Sequence, residues 1–76
     1  MNQEEYDRTL YNIIIDVWDA YRKASKSGNA KYFNEVFQGI YEKNPETCFV
    51  EFTETLGMAF VPSVNRAVVE HEKHPN

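Results

Sequence analysis

The chain has one cysteine, three prolines, three glycines and one tryptophan in 76 residues. Cys48 has no second thiol with which to form an intramolecular bridge, so the fold is not a disulfide-stapled scaffold, and a reducing cytoplasm is the expected compartment. Eighteen consecutive apolar residues occur nowhere, which excludes a membrane-spanning helix. The first residues, Asn2 to Arg8, lack the basic and apolar regions of a secretion signal. Basic residues are the minority, eight against twelve acidic ones, for a formal charge of -4. Such a balance repels nucleic-acid phosphates and anionic lipid at long range and favours a protein or small-molecule partner.

Phosphate-binding loops, paired Cys and His zinc ligands, calcium loops and hydrolase elbows are also missing, so no cofactor is expected. A catalytic Cys48 would need a base from His71 or His74, and no nucleophile motif surrounds it; the expectation is a protein that is not an enzyme.

Aromatic side chains are plentiful: five Tyr, five Phe and one Trp. A compact chain of this mass would have a folded surface of roughly 4,800 Å². Apolar burial at that size about matches the entropy of ordering the chain, which makes a lone copy marginal and association a natural remedy.

The spacing of these bulky residues is helical. Asn2 and Glu5 form a capping box, and Tyr6, Leu10, Ile13, Ile14, Val17, Ala20, Tyr21 and Ala24 cluster on one side of a first helix over 3–26 that Gly28 stops. A second helix over 30–43, capped by Asn29, carries Tyr32, Phe33, Val36, Phe37, Ile40 and Tyr41 at three- and four-residue intervals. It ends before Pro45, because the residue preceding a proline is pushed out of the α region. The two helices form an antiparallel hairpin.

A third helix over 45–60 uses Asn44 as cap and gathers Cys48, Phe49, Phe52, Leu56, Ala59 and Phe60 on one face. A β-hairpin across 47–61 is the competing reading; Phe49 and Phe52 would then face opposite sides of a strand, so the helix is preferred. Pro62 is expected to break this helix, with Ser63 capping a short fourth one over 63–73. That last helix should fold back on the bundle, and 72–76 should form a frayed polar tail. The sum is an all-α single domain, a small bundle of three to four helices.

Three surface features are candidates for function. Tyr11, Ile15, Trp18 and Arg22 form a strip beside the core face of the first helix, and Tyr, Trp and Arg are the residue types that dominate binding hot spots. This strip points to a protein-protein interface, most simply a homodimer. Arg22, Lys23, Lys26 and Lys31 make the one basic cluster; it offers a nucleic-acid alternative, although a recognition helix would want basic and amide groups along its amino-terminal part. Glu70, His71, Glu72 and His74 offer a metal-assisted enzyme as a second alternative, but a firm site needs three or four ligands on rigid elements.

Overall fold

The computed structural model describes residues 1–74 and is all-α, with four helical segments: α1 (Gln3–Ser27), α2 (Lys31–Asn34), α3 (Val36–Lys43) and α4 (Thr47–Lys73). Residues 75 and 76 of the expected tail lie outside the described residues.

The start of α1 is fixed by its capping box. Asn2 Oδ1 accepts from the Glu5 backbone N–H at 2.8 Å, and Asn2 Nδ2 donates to Glu5 Oε1 at 3.1 Å, so the reciprocal bond runs side chain to side chain. At the other end Gly28 takes the left-handed conformation, φ 69°, and its N–H returns to the Ala24 carbonyl. A side chain is disfavoured there by backbone geometry. Space forbids one as well, since a Cβ would stand 2.3 Å from the His71 ring.

The expected second helix is present as two segments. Glu35 separates them with φ −73° and ψ −22°, on the 3₁₀ side of ideal helix geometry, and its N–H still reaches the Lys31 carbonyl at 3.0 Å. The chain therefore stays helical in direction while the regular ladder is interrupted at one residue.

The third helix begins two residues later than its sequence suggests, at Thr47 after an extended Glu46. Asn44 does not cap it. Its side-chain amide and its backbone N–H both donate to the Ile40 carbonyl, at 3.1 and 3.0 Å, closing the end of α3 instead.

Pro62 does not break the helix, and there is no separate fourth helix folded back over 63–73. Residues 47 to 73 form one α-helix, which also takes in Glu72 and Lys73 of the expected tail. The reason lies in where the proline faces. Pro62 is exposed, and the carbonyl it cannot pair, four residues earlier at Met58, belongs to a residue 75 % exposed. Water can serve that carbonyl, while Phe60 before the proline and Val64 after it both pack into the same core.

That core comprises Ile13, Val17, Ala20 and Ala24 of α1, Phe33, Ile40, and Phe49 and Val64 of α4. Tyr6 meets Phe49 with ring centroids 5.3 Å apart, Tyr21 meets Phe60 at 5.0 Å, and Phe33 lies 5.9 Å from Phe60. The start of α1 thus touches the start of α4 and its end touches the later part, so the two long helices run side by side in the same direction. The α2–α3 segment returns between them.

Two residues of α4 not named on its apolar face are buried, and two that were are exposed. Thr53 is fully buried, its hydroxyl donating to the Phe49 carbonyl at 2.7 Å. Gly57 is buried beneath Phe37, whose ring atoms lie 2.8 Å from where a Cβ would stand. Cys48 and Ala59, expected on the apolar face, are exposed. On α1, Ile14 belongs to the surface and not to the core.

Replacing Pro62 with alanine should restore one helical hydrogen bond and raise stability by about 1–3 kcal/mol, read as an increased thermal midpoint by circular dichroism. Gly57→Ala should cost about 1–3 kcal/mol by overpacking against Phe37. Gly39→Ala, at a site with nothing within 4 Å, should stabilise by about 0.5–1 kcal/mol, and a denaturant titration of both variants would expose any departure from these opposite signs.

Candidate functional site

The two long helices leave one side of α1 bare. Around α1, the α2–α3 segment covers the side of Ala20 and α4 covers the side of Leu10 and Tyr21. About 125° from the centre of the core, at 100° per residue, lie Tyr11, Ile14, Ile15, Trp18 and Arg22. Tyr11 is 62 % exposed, Ile14 42 %, Ile15 37 % and Trp18 43 %. The side chains expected to form a strip are therefore contiguous on one helix face and accessible. Ile14, which its spacing assigns to the core, joins them. Its position at the edge of the apolar arc leaves either side open to it, and the placement of α4 decides.

Trp18 is the best supported of the group. Its ring packs 5.6 Å from Tyr21 and 6.2 Å from Phe60, so one edge is held by the molecule's own aromatic core while the remainder faces out. An aromatic side chain held on one edge loses little further rotamer freedom when a partner covers the other, which suits it to an interface.

The ends of the strip are charged. Asp7 and Arg8 precede it and Arg22 follows it. Arg8 is engaged with Glu4 at 3.8 Å, and Asp7 accepts from the Gln3 amide at 2.8 Å. Among the described residues Arg22 forms no salt bridge.

The basic cluster is brought together in part: Lys23 and Lys26 line one shallow cleft with Ser27 and Tyr32. Lys31 pairs with Glu35 at 3.9 Å, Arg22 faces along the aromatic strip, and Lys23 lines a cleft with Asp16, Asp19 and Glu35. Carboxylates thus interrupt the positive surface that phosphates would need. Of the carboxyl-terminal group, Glu70 and His71 border a cleft with Tyr21, Ser25, Ser63 and Arg66. His71 is further committed to contact with Gly28. Among the described residues, no three His, Cys, Asp or Glu side chains converge on one point.

A second apolar surface has no counterpart in the sequence pattern. Phe37, Tyr41, Glu54, Gly57, Met58 and Val61 line a shallow groove between α3 and α4. Burial, and secondarily the Glu54 carboxylate, raises the Tyr41 phenol above its ordinary 10.0. Glu54, Met58 and Val61 follow one another at four- and three-residue spacing before Pro62, so they share one face of α4.

Compared with protein-family models, with curated proteins and with solved structures, the chain matches none.

Proposed function

We propose that this chain is a small, non-enzymatic interaction protein that self-associates through the exposed face of α1. The observation that carries this reading is the contiguous accessibility of Tyr11, Ile14, Ile15 and Trp18 on one rigid helix.

Surface area supports it. The chain exposes 5456 Å², about 650 Å² more than a compact monomer of its mass would. Each partner in a standard stable interface contributes about 800 Å². The excess is thus of the size that pairing two copies removes. It accompanies the elongated shape, 47 × 17 × 17 Å.

Sedimentation equilibrium across the micromolar range tests the reading. The wild type should give a species of twice the chain mass. Tyr11→Glu and Ile15→Glu, both at exposed positions, should weaken association at least about tenfold with the helical circular-dichroism spectrum retained. A wild type that stays monomeric at high micromolar concentration would overturn the proposal.

A further inference from the structure

The exposed face of α1 is self-complementary in one orientation only, and from this we infer that two copies pair antiparallel about a two-fold axis passing between Ile14 and Ile15. The inference rests on the self-association proposed above and adds its geometry. Asp7, Tyr11, Ile14, Trp18 and Arg22 recur at intervals of three and four residues, so they form a nearly straight seam along the helix. Its apolar middle has an acidic residue at the amino-terminal end and a basic one at the carboxyl-terminal end, both exposed.

A two-fold axis perpendicular to α1 at its 14–15 midpoint reverses the seam onto itself. It sets Asp7 opposite Arg22 of the second copy and Tyr11 opposite Trp18, and brings Ile14 against its own counterpart beside the axis. Every contact away from the axis occurs twice, as an isologous interface requires. The apolar centre is flanked at each end by one carboxylate facing one guanidinium, a pairing that fixes register and favours bidentate geometry.

A parallel arrangement would instead place Asp7 on Asp7 and Arg22 on Arg22, like charges at both ends, and would stack Trp18 on its own copy. Within the single chain these charges are available: among the described residues Arg22 has no carboxylate within salt-bridge distance, and Asp7 holds only the amide of Gln3.

Cross-linking reads the register directly. In a Cys48→Ser background, which removes the one exposed native thiol, Asp7→Cys and Arg22→Cys variants are prepared separately and treated with a short bismaleimide, alone and mixed. The concentration is one at which sedimentation shows each variant to be dimeric. The antiparallel pair predicts covalent dimer in the mixture only, because like positions are offset by 15 residues, about 22 Å along the helix. Covalent dimer within either variant alone would establish a parallel register and overturn the inference. Dimers that cross-link in no combination would place the interface elsewhere and overturn it too. A wild type without dimers would instead sink the underlying proposal.

Charge reversal supplies the energetic arm. Asp7→Arg or Arg22→Asp alone should weaken association about tenfold, and the double variant should recover to within about threefold of wild type. A double variant as weak as the two losses combined would refute the pairing.

Discussion

The packing of α4 along α1 in the same direction is the constraint on which the molecule depends. Tyr6 on Phe49 and Tyr21 on Phe60 hold the two helices in register at successive levels, and His71 meets the Gly28 turn at the far end. Because α4 stays helical through Pro62 it commits its whole apolar edge to this contact. A helix that broke and folded back could have wrapped around α1 and covered Trp18. A continuous one lies along one side of α1 and leaves the neighbouring face, with Tyr11, Ile15 and Trp18, exposed.

The glycines mark where this packing is tightest. Gly28 permits the backbone to reverse and lets His71 approach; Gly57 lets the Phe37 ring lie directly on the α4 backbone. Thr53 shows the same closeness from the polar side. A hydroxyl deep in an apolar interface needs a partner, and the Phe49 carbonyl one turn earlier provides it without disturbing the packing.

Much of this is legible in the amino-acid sequence because it depends on local chemistry. The Asn2–Glu5 box, the Gly28 stop, the helical spacing of α1 and the helical state of 47–61 each depend on neighbours a few residues apart. The placement of the Tyr11–Ile15–Trp18 strip beside the core face is legible for the same reason. The features that escape depend on which way a residue faces in three dimensions. Pro62 reads as a breaker until it is seen on the exposed side of α4, where Met58, whose carbonyl loses its helical partner, is exposed as well. Asn44 reads as a cap for α4 until its side chain is seen closing α3. Ile14 and Cys48 sit at the margins of their apolar arcs, where a small rotation of the neighbouring helix decides between inside and outside, and Gly57 gives no signal of its burial because glycine has no side chain to register in an apolar pattern.

The chain makes three helical passes, and an odd number of passes has a topological consequence. Met1 and His74 lie at opposite poles of a body 47 Å long, with no route between them but along its length. Joining those poles by a linker would take at least about fourteen extended residues, so the molecule is ill suited to circular permutation.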